Sequence, residues 1–98
     1  MTANERLHLS RVAALGCIVC RNLGYGMTPA EVHHIRTGQG LKRASHFETL
    51  PLCHAHHRTG GYGVAFHAGK EAFEANYGTE LELLQQTREV IDEIDRYA

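Results

Sequence analysis

Long hydrophobic runs are missing from this 98-residue sequence. Nowhere do apolar residues approach the roughly 18 in a row that a membrane span needs, and no basic segment followed by an apolar stretch opens the chain. A spanning helix is excluded on this pattern, and the expectation is a cytoplasmic protein. Cysteine is scarce too: three residues cannot all pair as disulfides, which excludes a fully stapled scaffold and favours metal binding in a reducing compartment. Low-complexity tracts and internal repeats are absent. Charge of one sign is lacking as well, since the net charge is −1 at pH 7, which taken alone counts against a polyanionic partner.

Apolar residues make up 43% of the chain and run along its whole length, so a globular fold is expected. At this length the chain forms one domain, residues 1–98, near the lower limit of self-sufficiency, where a bound metal would help. The charges are unevenly placed. Residues 1–60 hold seven Lys/Arg against three Glu, whereas residues 61–98 hold three against eight acidic residues. Histidine is abundant, with eight in the chain and seven of them from His33 to His67. The histidine-rich half is therefore the basic half, and Arg36, Lys42, Arg43 and Arg58 flank its imidazoles as candidate phosphate contacts or as an ordinary solvated surface.

Thr2 and Glu5 have the spacing of a capping box, and Gly16 can close the segment, which predicts a helix over residues 3–15. Glu31–Ile35 and Glu48–Leu52 read as the strands of a hairpin spanning residues 31–52, with Pro51 confined to an edge. A helix is expected to start over residues 53–58 and to break at Gly60, Gly61 and Gly63. Helices over residues 69–97 follow: Phe73 and Tyr77 lie one turn apart before Gly78, and Thr79 with Glu82 repeats the capping signal. In the last helix Leu81, Leu84, Val90, Ile91, Ile94 and Tyr97 fall mostly along one face. Most of the acidic residues are expected on the opposite, solvated face, away from any phosphodiester.

The sharpest chemical signal is Cys17-x2-Cys20 joined, after 32 intervening residues, by Cys53-x2-His56. Each pair can aim two donors from one tight turn, and together they complete a closed Cys3His zinc site. On a helix Cys53 shares a face with both His56 and His57, so either can be the fourth ligand. The second signal is His33-His34 on the predicted first strand. Adjacent strand residues point to opposite faces, so the two have different jobs: His33 can share a metal with His57 while His34 faces a substrate phosphate. His67, just before Gly69, can swing back as a third ligand or phosphate donor, or cap the next helix. His8 and His54 are expected on exposed helix surfaces.

The segments Ala14-Leu-Gly-Cys-Ile-Val-Cys20, Glu31-Val-His-His-Ile35 and Leu50-Pro-Leu-Cys-His-Ala-His-His57 resemble, in that order, the recombination-enhancement (Ref) nucleases of phages and prophages. These belong to the HNH (ββα-metal) superfamily. The resemblance is clear over about residues 10–60 and weaker at Phe66-His-Ala-Gly69 and Tyr77-Gly-Thr-Glu80. It implies an α+β fold, a zinc-stabilised ββα-metal core with flanking N-terminal and C-terminal helices. It implies that Cys17, Cys20, Cys53 and His56 hold a structural Zn²⁺, that His34 is the general base, and that His33 and His57 ligate a catalytic Mg²⁺ or other divalent cation. It also implies a DNA endonuclease in a bacterial host cell, with the RecA filament as partner. The sequence departs from the class in having no asparagine between Asn22 and Asn76; Glu48 lies nearest the usual place, with His46 close by. It also lacks the long basic N-terminal extension of the best-known member, which implies weak, salt-dependent binding or help from a partner. Two other readings compete: a non-catalytic zinc-stabilised module that binds DNA or protein, and a purely structural phage accessory protein with inert histidines.

Overall fold

The computed structural model describes residues 1–97; residue 98, the last of the expected span, lies outside them. The order of elements is α1 (Ala3–Ala14), α2 (Ile18–Asn22), β1 (Glu31–His34), β2 (Thr49–Leu52), a π-helical turn (Ala55–Thr59), a 3₁₀ turn (Phe66–Ala68), α3 (Lys70–Tyr77) and α4 (Glu80–Arg96). It is a small α+β arrangement: four α-helices around a two-stranded antiparallel sheet. None of these helices is long and apolar enough to cross a membrane.

Both capping boxes form. Thr2 accepts from Glu5 N while Glu5 accepts from Thr2 N, and Thr79 and Glu82 do the same at α4. Each box satisfies backbone donors that a helix start leaves orphaned, which is why these starts are well defined. Gly16, just beyond α1, has φ +73 and turns the chain so that Cys17 can cap α2.

The sheet pairs Glu31 with Leu52, Val32 with Pro51, His33 with Leu50 and His34 with Thr49. The two-residue period then sorts β1: Glu31 and His33 share one face, Val32 and His34 the other. On the first face Leu50, Leu52, Ile35, Phe66 and Phe73 join the cysteines in the main core. On the second, Val32 packs on a smaller cluster of Val12 from α1, Leu15 just past its end and Ile91 from α4. A buried leucine or phenylalanine contributes roughly 1.5–3 kcal/mol relative to exposure, so so few large apolar side chains give a modest core.

Two expectations need correction. The turn after Cys53 is π-helical, not the start of an α-helix: the His57 amide still reaches Cys53 O, but the Gly60 amide reaches five residues back to Ala55 O. A Cβ on Gly60 would lie 2.5 Å from that carbonyl, so only glycine closes the turn this way. In α4 the inward stripe is Glu80, Leu83, Leu84, Thr87 and Ile91, whereas Leu81, Ile94 and Tyr97 are exposed. Leu81 sits about 100° around the helix from Glu80, and that offset takes it off the stripe.

Candidate metal centres and catalytic site

Two histidine-containing clusters flank the π-helical turn, and the turn supplies one ligand to each. The first unites Cys17, at the N-terminus of α2, Cys20 within it, Cys53 after β2, and His56. All four are buried. Cys20 Sγ lies 3.8 Å from Cys53 Sγ, and His56 Nδ1 lies 3.6 Å from Cys17 Sγ, 3.6 Å from Cys20 Sγ and 3.2 Å from Cys53 Sγ. A tetrahedron built on zinc–sulfur bonds of about 2.3 Å and zinc–nitrogen bonds of about 2.0–2.1 Å has edges of about 3.8 and 3.6 Å. The donor set and its spacing therefore fit a zinc ion. Burial pushes the Cys17 thiol up to about 12 and lowers the His56 imidazole. Without a cation the thiol keeps its proton; a bound cation would displace it.

The second cluster is His33, His57 and His67, whose ligand atoms all lie within 4.8 Å of one another. The His57 and His67 Nε2 atoms are 3.1 Å apart, and the ring of His33 lies 5.1 and 5.3 Å from those of His57 and His67. His56 and His57 are successive residues of the turn and leave it in different directions, so one faces the sulfurs and the other the imidazoles. His67 does not cap α3, which starts without a side-chain cap; it swings back to His57. Burial lowers His57 and His67 most, with the neighbouring imidazoles adding to it, and both shifts favour the neutral, metal-binding form.

Two carboxylates back this cluster. Glu31, on the same face of β1 as His33, accepts from His57 Nδ1 at 2.8 Å and from both Nε and a terminal nitrogen of Arg58. Those Arg58 and His57 hydrogen bonds hold the Glu31 carboxyl down at about 2. His57 Nε2 is thereby directed toward His67. Glu80 is fully buried and accepts from His33 Nε2 at 2.6 Å, from the Arg36 and Thr37 amides, and from the Thr37 hydroxyl at 2.7 Å. Burial acts to raise its pKa, yet the His33 and Thr37 bonds and the two amides outweigh it, leaving the carboxyl at about 2. A carboxylate only accepts, so His33 Nε2 carries the proton and Nδ1 is left for a cation. Most of the acid on the last helix is solvated, as expected; Glu80 is the exception and lies buried directly behind His33. Its position after Thr79 in a capping box reads as an exposed helix start, and nothing local signals a partner 47 residues earlier.

His34 looks from the opposite face of β1. Its Nε2 lies 2.9 Å from His46 Nδ1, and Arg43 comes within 3.5 Å of its Nδ1. The Thr49 hydroxyl donates to the His46 carbonyl and so steadies this pair. Burial lowers His34 most, and Arg43 and His46 lower it further, keeping it neutral as a general base must be. Near the place of the missing asparagine it is thus His46, not Glu48, that touches His34.

The four expected DNA-contacting cations divide. Arg36 donates both terminal nitrogens to the carbonyls of Gly40 and Lys42, and Arg58 is engaged by Glu31. Lys42 and Arg43 are exposed, and neither pairs with a carboxylate among the described residues. His54 is exposed, as expected, while His8, expected there too, is half-buried with its ring tilted against that of Phe47.

A family model described as recombination enhancement, RecA-dependent nuclease, matches residues 1–92. No curated protein matches the chain.

Proposed function

The chain belongs to the recombination-enhancement, RecA-dependent nuclease family, and from that premise we propose that residues 1–98 form one HNH-type, metal-dependent DNA endonuclease domain. In this reading the hairpin and the turn after it are the ββα-metal core, and Cys17, Cys20, Cys53 and His56 hold a structural Zn²⁺. The observation that carries the reading is the convergence of the His33, His57 and His67 ligand atoms within 4.8 Å, with His34, the residue after His33 on β1, held neutral by burial, Arg43 and His46.

His33, His57 and His67 would hold Mg²⁺ or another divalent cation, with Glu80 and Glu31 fixing the tautomers of His33 and His57. A divalent cation bound there would supply charge neutralisation at the phosphate and the departing 3′ oxygen. With Nε2–H given to His46, His34 Nδ1 has the lone pair that takes a proton from water. The new bond joins that water oxygen to phosphorus, the bond to the 3′ oxygen breaks, and the 3′ oxygen is protonated from solvent. Arg43, next to His34 Nδ1, and Lys42 bind flanking phosphates. The family description supports a RecA filament as the partner that presents the DNA.

The test incubates the protein with single-stranded and duplex DNA, with and without RecA filaments, in Mg²⁺, Mn²⁺ or Zn²⁺. Wild type is expected to cut, and His34→Ala to lose about 10²–10⁴-fold in rate. Full cleavage by His34→Ala overturns the base assignment. A protein that holds one zinc per chain, binds DNA and never cuts it is the non-catalytic module instead.

A further inference from the structure

The loop joining the two strands is built to hold one leucine out in solvent. Leu41 is fully exposed and is the most exposed large apolar side chain among the described residues. A lone exposed leucine ordinarily needs no explanation. Here, however, the backbone is clamped on both sides of it: Arg36 donates to Gly40 O at 2.7 Å and to Lys42 O at 2.9 Å. Two consecutive turns shape the loop, closed by the Gln39 amide on Arg36 O and the Lys42 amide on Gln39 O, and Gly40 takes φ +59 directly before the leucine. At its root Glu80 accepts from the Arg36 and Thr37 amides and the Thr37 hydroxyl. An arginine that could have met a phosphate is spent on rigidity, and the beneficiary is a side chain with no contact to the core.

The surroundings identify what this tip meets. No acidic residue lies between Glu31 and Glu48, and the two residues after Leu41 are the exposed cations Lys42 and Arg43. Arg43 also approaches His34, so the tip is two residues from a side chain that meets the one assigned to activate water. An apolar side chain held rigid beside exposed cations is an arrangement by which proteins wedge open stacked bases.

We propose that Leu41 is a wedge that enters the base stack of duplex DNA next to the scissile phosphate, with Lys42 and Arg43 neutralising the phosphates on either side. The proposal rests on the nuclease reading only for the word scissile; insertion itself is a binding event. Because the side chain touches nothing in the fold, Leu41→Ala leaves folding intact, and Leu41→Met should retain the wedge.

The test places 2-aminopurine at successive positions of a short duplex and titrates it with the full chain in Ca²⁺, then measures cleavage of the same duplex in Mg²⁺ or Mn²⁺, each with and without RecA filaments. Expected is a several-fold rise in fluorescence at one step with wild type and Leu41→Met, lost in Leu41→Ala. Lys42→Ala should weaken binding and flatten its salt dependence while keeping the rise at saturation. Cleavage without unstacking at any position overturns the wedge and leaves the nuclease reading standing. Unstacking without cleavage supports the wedge and defeats the nuclease reading. Loss of activity in Leu41→Ala only when RecA is present, with no change in fluorescence, assigns the tip to a protein contact and overturns the proposal, as does a failure of wild type to bind duplex DNA at all.

Discussion

The two clusters that share the π-helical turn are built on opposite principles. The Cys3His group is buried, its four donors are aimed at one another, and its spacing leaves no room for anything but an ion. The His33, His57 and His67 group is graded instead: His33 is buried, His57 is half-buried and His67 is exposed, so one side of it opens to solvent. It is also supported from behind by Glu31 and Glu80, whereas the sulfur cluster needs no carboxylate. A closed site can exchange only folding energy with its metal; an open, backed site can admit a phosphate. Neighbouring residues, His56 and His57, belong to the two different kinds.

If this contrast is real, the largest effect comes from the closed cluster. Cys53→Ser, or stripping zinc with a strong chelator, should abolish the cooperative thermal transition seen by circular dichroism. Structural zinc is worth about 10–16 kcal/mol in small domains, more than a core of this size can replace. A variant that still melts cooperatively without zinc would remove the distinction between the clusters. His57→Ala should do the reverse. It keeps the melting transition and one zinc per chain by elemental analysis, but loses at least about 10²-fold in cleavage because the open cluster can no longer hold its cation.

These two outcomes also mark what the sequence made legible. The Cys-x2-Cys and Cys-x2-His pairs, and both capping boxes, are local: each is a set of donors one turn apart, so spacing alone carries the information. The strand period likewise separates His33 from His34. Glu31 and Glu80 are the opposite case. Glu31 reads as an ordinary strand start because its partners, His57 and Arg58, lie 26 and 27 residues later. Glu80 reads as a helix-start acid, and its burial depends on how α4 packs across the loop after β1. The choice between His56 and His57 was open for the same reason, since it turns on a π-helical turn that only Gly60 permits.

Glu80 offers the next test in size. Glu80→Gln keeps an oxygen for His33 but sets an amide group against the Thr37 and Arg36 donors, leaving buried donors without acceptors. The cost should be about 2–4 kcal/mol of stability. If Glu80 also fixes the His33 tautomer, affinity of the open cluster for Mn²⁺ should fall about 10–100-fold by calorimetry, with the structural zinc retained. A stability loss with unchanged Mn²⁺ affinity would reduce Glu80 to a packing role and leave the open cluster without its deepest support.

The smallest effect belongs to the face of the hairpin that neither cluster occupies. His46 touches His34 but none of the proposed metal ligands, so removing it should leave both metals in place and alter only the orientation of the base. A single neutral hydrogen bond is worth about 0.5–1.5 kcal/mol, which converts to a fall of roughly 2- to 10-fold in kcat for His46→Ala. His46→Asn can still present an amide oxygen to His34 Nε2–H, and part of the rate should return. That rescue would explain how this chain could dispense with the asparagine of the HNH pattern: an imidazole at position 46 does the holding. Equal rates for both variants and wild type would show instead that His34 is oriented by the strand alone, and the pairing at 2.9 Å would be incidental to the chemistry.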